Sequence, residues 1–356
     1  MAAGTVGTVG TVGTVGGTGR LRRSDLHGAG IRRRRRGRGF SYLGPGAAPV
    51  KDPRTLARIK ALVIPPAWED VWICTDPRGH IQAVGTDAAG RRQYRYHDLW
   101  REQRDEAKHD RVLQFGAALP AIREEIGHHL GARGLARERV LAAAIRLIDL
   151  GFFRPGGEEY AEENGSFGLA TIRKEHVTLT KGQLVFDYIA KGAKQREQAV
   201  AEDQVCAVVR SLRRRRSGGD QLLVYRSGRG WHDVTAADIN DYLGEISGGD
   251  YTAKDFRTWH ATVLAAVGLA VSERADSGET ARKRAVARVV QEVADYLGNT
   301  PAVARASYID PRVIDLYTEG HTIAAALGDL GKDSHFGDLA TRGRAEKAVL
   351  NLLNSA

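Results

Sequence analysis

The hydrophobic patterning changes character near residue 104, and this change limits the chain to a two-part α+β architecture. Between residues 60 and 100 the apolar residues come in short runs, KALVIPP, VWICT and HIQAVGTD, separated by Pro65-Pro66 and Pro77-Arg78-Gly79. Short runs bounded by turn residues predict a small antiparallel sheet, closed by GRRQYRYHDLW at residues 90–100. Beyond residue 104 the period lengthens. Val140, Ala144, Leu147 and Ile148 share one helical face, as do Val286, Val289, Val290, Val293 and Leu297. Residues 168–190 interrupt the helices with GLATIRKEHVTL, a turn at Thr180-Lys181-Gly182, and QLVFDYIA, which read as strands. The expected fold is a small β-rich N-terminal domain followed by a mostly helical domain with a small inserted sheet.

Charge is distributed unevenly between these parts. The chain of 356 residues carries a net +10, but the first 40 residues hold nine arginines against the single acid Asp25, which leaves only +2 for the rest. Body-mediated binding of a polyanion therefore needs a local basic patch. Residues 5–16 repeat TVG four times, and Arg32–Gly39 reads RRRRRGRG. Residues 1–39 are expected to be a disordered basic arm that meets nucleic acid, with ordered structure beginning near Phe40. No run of 18 apolar residues occurs, and the start lacks the basic-then-apolar order of a secretory signal. Cys74 and Cys206 stand far apart without a CxxC. That excludes a disulfide framework and a cysteine-based zinc site, and points to a reducing compartment such as the cytoplasm. The chain has no GxxxxGK[ST], no HExxH, no EF-hand loop and no GxGxxG after a strand, which disfavours an ATP-driven motor and a zinc hydrolase.

Four local constellations carry chemistry-bearing side chains. The segment TAKDFRTWHATVLAAVGLAV, from Thr252, reads as a helix with Phe256, His260, Val263, Leu264 and Val267 as its stripe. It sets Lys254 and Arg257 three apart on one side, where two cations repel unless an anion lies between them. His260 on the stripe reads as a core histidine. In YLGNTPAVARASYIDP, Gly298 stops one helix, Thr300-Pro301 starts a short second one, and Asp310-Pro311 starts a third, so Tyr308 falls at a junction. Arg154 follows a helix directly, before Pro155-Gly156-Gly157, and Lys191 sits at what reads as a hairpin tip beside Gly192 and Lys194. Taken singly, each has an ordinary reading as packing or a solvated charge.

In order and spacing, however, GRRQYRY, FGLATIRKEHV, YIAKGAK, KDFRTWHAT and GNTPAVARASYIDP together resemble the type IB DNA topoisomerases in their compact bacterial and poxvirus form, from about residue 40 to 320. The resemblance implies a DNA-clamping N-terminal domain at residues 40–104 and a tyrosine-recombinase-like catalytic domain at 105–356. It implies relaxation of supercoiled duplex DNA through a 3′-phosphotyrosyl link, without ATP, metal or any other cofactor. The implied catalytic set is Tyr308 as nucleophile, Arg154 and Arg257 on the phosphate, Lys191 as general acid with Lys254 assisting, and Asn299. Several relatives carry a histidine at the Asn299 position; an amide still donates a hydrogen bond but brings no charge. In GRRQYRY, Arg91, Arg92 and Arg95 suit phosphates, with Gln93, Tyr94 and Tyr96 interleaved for hydrogen bonds or base edges. The implied partner is duplex DNA of the nucleoid, held by a monomer, with no membrane involved. Two alternatives stay open. One is a tyrosine recombinase, although such enzymes usually carry histidine where this chain has Lys254. The other is a non-catalytic DNA-binding protein.

Overall fold

The computed structural model describes residues 20–151, 153–157, 165–180, 182–273, 278–329 and 343–355. The chain divides into two compact units, one up to Lys108 and the other from His109 onward. The first unit is built on five antiparallel strands, β1 (Ile31–Arg36), β2 (Gly39–Leu43), β3 (Glu69–Ile73), β4 (Ile81–Thr86) and β5 (Arg92–Tyr96), in the order β2-β1-β3-β4-β5. Ile31, Ile59, Val71, Ile73 and Ala83 form one apolar cluster and Trp72, Cys74, Ile81 and Val84 another; β3 sorts its residues by strand alternation, while a register shift between Ile81 and Ala83 puts those two in different clusters.

Two expectations about this unit are corrected. The arginine run is not part of a disordered arm: Arg32–Arg36 pair with Gly39–Leu43 on one side, and Ile31 and Arg32 pair with Trp72 and Ile73 on the other. Alternation is the physical reason, because a strand can hold successive arginines if alternate guanidiniums reach solvent. Arg33, facing the other way, donates to the carbonyls of Ile64, Pro65 and Trp68 and lies over the Phe40 ring, 4.2 Å from its centroid. Order begins before Phe40 as well, since Arg22 exchanges backbone hydrogen bonds with Arg78 and His80 at 2.9 Å, and Trp72 Nε1 donates to the Gly28 carbonyl. KALVIPP, in turn, is no strand. Lys60 and Ala61 end helix α1 (Pro53–Ala61), whose start is set by Pro53 in the first turn and by Asp52, which accepts from the Thr55 amide at 2.9 Å. The TVG repeats lie outside the described residues.

The second unit is mostly helical. Its α3 (Arg137–Gly151) is buried on nearly every side, from Val140 to Gly151 with only Arg146 less covered, which exceeds the single face that its periodicity suggests. Around it pack α4 (Asp203–Arg214), α5 (Ala236–Ser247) and α6 (Ala253–Glu273). A buried ionic network ties α2 (Asp98–Gly131), α3, α6 and α10 (Arg344–Asn354) together. Asp149, fully buried, receives Arg123 at 2.9 Å and Arg146 at 3.1 Å, with His260 Nε2 3.1 Å away, while Arg123 also holds Glu346 at 2.6 Å. Breaking one member of such a network leaves buried charge uncompensated, so α3 and α6 are held in fixed register.

The inserted sheet is β6 (Val177–Thr180), β7 (Gln183–Ala190) and β8 (Lys194–Val200), paired in that order. Only the last three residues of GLATIRKEHVTL form strand. Residues 169–171 and 174–176 are 3-10 turns, in which Thr171 Oγ1 accepts from the Gly168 amide at 3.0 Å and His176 Nδ1 accepts from the Arg173 amide at 3.1 Å. Such local side-chain bonds compete with a ladder. Lys181, in the expected turn, lies outside the described residues. A second hairpin, β9 (Val224–Ser227) and β10 (Gly230–Asp233), stands separately. No helix among the described residues is long and apolar enough to cross a membrane.

Candidate active site

Local capping chemistry places Tyr308. Helix α7 (Glu279–Leu297) ends at Gly298, whose φ of +63° is the left-handed conformation that favours glycine. Thr300 then caps α8 (Pro301–Ser307), Tyr308 is its last, C-capping residue, and Asp310 caps α9 (Pro311–Glu319) with Pro311 in the first turn. Thr262 of α6 pins this junction, because its hydroxyl donates to the Tyr308 carbonyl at 3.3 Å and accepts from the Asp310 amide at 3.1 Å.

Arg257 is brought to Tyr308 by α6. It is only 2% exposed, its guanidinium carbon lies 5.3 Å from the Tyr308 ring centroid, and the two side chains are hydrogen-bonded. Burial opposes ionisation of the Tyr308 hydroxyl. The charge and hydrogen bond of Arg257, then Arg154 and Lys254, outweigh it and hold the phenol below its usual pKa. Arg257 is itself pulled down, first by burial and then by Arg154, yet a guanidinium stays cationic at neutral pH. Lys254, one turn earlier on α6, is exposed.

Arg154 reaches the same place from the loop after α3. It donates to the Gly298 carbonyl at 3.3 Å and to Asn299 Oδ1. Among the described residues, the buried side-chain nitrogen of Asn299 has no hydrogen-bond partner. A buried unsatisfied donor calls for an explanation, and an oxygen arriving with a ligand supplies one. Lys191 stands exposed at the tip of the β7–β8 turn, where Ala190 pairs with Lys194 and Gly192 takes a φ of +82°. The structure thus gathers Tyr308, Arg257, Arg154, Asn299 and Lys254 into one electrostatic neighbourhood and leaves Lys191 on a separate projecting hairpin.

One residue that sequence reasoning missed joins them. Arg196 on β8 donates to the Tyr296 carbonyl at 3.1 Å and lowers the pKa of Arg257 by its like charge. In the sequence it is one arginine in a polar strand, with no local signal to separate it from its neighbours.

In the first unit, Arg91 and Gln93 are both held by Asp87, at 3.1 and 2.9 Å, and Arg95 donates to the Val63 carbonyl at 2.8 Å. Arg92 and Tyr94 are exposed, and Tyr94 stacks on Tyr96 at 6.0 Å. All six lie on or beside β5, an edge strand. The one grouping of possible metal ligands among the described residues, Glu125, His128 and His129, lies on α2 and includes none of these side chains.

Residues 97–324 match the family described as eukaryotic DNA topoisomerase I, catalytic core, and residues 39–87 match the bacterial DNA topoisomerase IB N-terminal domain. The chain belongs to the type IB DNA topoisomerases. Among characterised proteins it is similar to DNA topoisomerase 1B of Acanthamoeba polyphaga mimivirus, 28% identical over 81% of this chain and 87% of that protein. It is also similar to DNA topoisomerase 1B of vaccinia virus (strain Copenhagen), 21% identical over 65% of this chain and 71% of that one. Among solved structures, the XerH site-specific recombinase bound to palindromic difH substrate (post-cleavage complex) is 18% identical, with a TM-score of 0.35 over 55% of this chain and 49% of that one. A type IB topoisomerase relaxes supercoiled duplex DNA by transient single-strand cleavage through a 3′-phosphotyrosyl link, with rotation and resealing that need no ATP. The recombinase and non-catalytic readings of the sequence give way to it.

Proposed function

We propose that Tyr308 is the nucleophile of this topoisomerase and that the side chains around it divide the reaction among them. The Tyr308 hydroxyl loses its proton to solvent as its oxygen attacks a DNA phosphorus, the phosphorus–O5′ bond breaks, and the DNA 3′ end is left on the tyrosine. The phosphodiester energy is kept in that link, so the freed 5′ hydroxyl reseals the strand by the reverse step. Arg257 and Arg154 meet the charge that grows on the non-bridging oxygens, and their planar forks suit paired donation to a phosphate. Asn299 adds a neutral donor through its side-chain nitrogen, which has no partner among the described residues. Lys191 gives its proton to the leaving O5′, with Lys254 tuning or relaying. The observation that carries this reading is the Arg257–Tyr308 pair, 5.3 Å from guanidinium carbon to ring centroid, in which the cation lowers the pKa of the hydroxyl.

In the same proposal, Arg91, Arg92, Gln93, Tyr94, Arg95 and Tyr96 contact DNA from the N-terminal unit, with Arg91, Arg92 and Tyr94 exposed. A single copy clamps the duplex, acting on nucleoid DNA in the cytoplasm. The test is supercoiled plasmid incubated in EDTA without ATP. The wild-type chain is expected to relax it, and Tyr308→Phe to lose both relaxation and denaturant-resistant attachment to DNA while keeping DNA binding. Retained relaxation by Tyr308→Phe shows a different nucleophile, and a strict requirement for magnesium or ATP overturns the mechanism.

A further inference from the structure

The last three residues before Asn299 present three successive backbone carbonyls, and each is taken by a different arginine. Arg196 donates to Tyr296 O at 3.1 Å, Arg257 to Leu297 O at 2.9 Å and Arg154 to Gly298 O at 3.3 Å. The three come from β8, from α6 and from the loop after α3, so nothing local gathers them. Carbonyls at a helix C-terminus carry partial negative charge, which offsets the repulsion among three guanidiniums. That repulsion is real: beyond burial, Arg257 is pulled down by Arg154 and Arg196, and Arg196 is pulled down first by burial, against Tyr188, and then by Arg154. No carboxylate among the described residues pairs with Arg154 or Arg196. The contact at Gly298 is close enough that a Cβ there would stand 3.0 Å from Arg196 Nη1, so the glycine lets the guanidinium lie against the backbone.

Arg154 and Arg257 already have work at the phosphate. Arg196 differs in where it comes from. It is on β8, the strand that leaves the Lys191 turn, five residues beyond Lys191 and paired across the hairpin with Tyr188. Its bond to Tyr296 is therefore a cross-link between the hairpin and the end of α7, two residues from Gly298 and three from Asn299. We infer that Arg196 is a positioning residue for Lys191, fixing the β7–β8 hairpin near its tip to the helix end that precedes Asn299, so that the general acid arrives in register with Tyr308. This rests on the reading of Lys191 as the acid.

The experiment compares single-turnover cleavage of ordinary DNA with cleavage of a strand carrying sulfur in place of the 5′ bridging oxygen. A thiolate leaves without protonation, so this substrate bypasses the acid and nothing else. Arg196→Ala in the full chain is expected to slow cleavage of ordinary DNA by about 10²-fold, the scale of an angstrom-sized misplacement, and to regain a near wild-type rate on the sulfur substrate. Lys191→Ala is run beside it. If Lys191→Ala is rescued and Arg196→Ala is equally slow on both substrates, Arg196 acts on the phosphate or the fold and the inference fails alone. If Lys191→Ala is not rescued, the acid assignment falls and takes the inference with it. A wild-type rate for Arg196→Ala also overturns it. Arg196→Lys, which keeps charge and a donor, is read in the same pair of assays should the alanine variant not fold.

Discussion

Two regions of this molecule are rich in arginine, and their chemistry is opposite to what their sequences advertise. Arg32–Arg36 is contiguous and has the composition of a polyanion-binding tail. Arg154, Arg196 and Arg257 are spread over a hundred residues and look unremarkable one at a time. In the fold, the contiguous run is an interior strand of a five-stranded sheet, with Arg33 bonded to backbone carbonyls. The scattered three converge on consecutive carbonyls beside Tyr308. Charge density along a chain measures solvation and repulsion. A reactive site needs charges that converge, and convergence is a property of packing.

The comparison breaks most visibly by truncation. Removing residues 1–39 deletes β1 from between β2 and β3, so it is expected to unfold the N-terminal unit, not merely trim an arm. Loss of the unit's cooperative melting and of its strand signal in circular dichroism checks this, and a truncated chain that melts like the full one would return the run to the status of a tail. On the other side, Arg257→Ala is expected to slow single-turnover cleavage by about 10³-fold, the upper range for losing one preorganised donor. It should also move the pH at which cleavage becomes fast upward, because Arg257 is what holds the Tyr308 hydroxyl below its usual pKa.

Asn299→Ala sharpens the site further. A neutral donor should contribute less than either arginine, so the expected loss is about 10²-fold in cleavage, at or below the low end of about 2.7–4 kcal/mol. A reduced melting temperature with a wild-type cleavage rate in the folded fraction would make Asn299 a helix-junction residue only. Within β1, Arg33→Ala is expected to cost about 2 kcal/mol of stability, the scale for losing charged hydrogen bonds, while Arg34→Ala on the exposed alternate position stays within about 0.5 kcal/mol. Equal melting shifts for the two would mean that alternation is not what sorts these arginines.

The smallest effect concerns Asp87, which holds Arg91 and Gln93. Its carboxyl lies at about 2 against an ordinary 3.8, chiefly through the Arg91 amide and against the cost of burial. Since the folded value is the lower one, the stability it contributes is present above 3.8 and is lost as the pH falls through about 2. Asp87→Asn is expected to flatten the fall in melting temperature between about pH 4 and about pH 2. An unchanged profile would remove Asp87 as the anchor of that segment.

The sequence by itself determined the local events. Gly298, Thr300-Pro301 and Asp310-Pro311 specify a helix stop and two starts through backbone conformation and capping alone, and so place Tyr308 at a junction without reference to the rest of the chain. The Lys191 turn was legible for the same reason, and the helix of Lys254 and Arg257 from its periodicity. What only the tertiary structure decided was partnership over distance. The arginine run is polar enough to stay in water, but its neighbours offer it two strands to pair with. Arg196 has no motif at all, because its role depends on Tyr296 a hundred residues away. Propensity and capping act over a few residues and are written in order along the chain. The energy of burying a guanidinium depends on which acceptors surround it, and those are assembled only when α6, β8 and the end of α7 pack together.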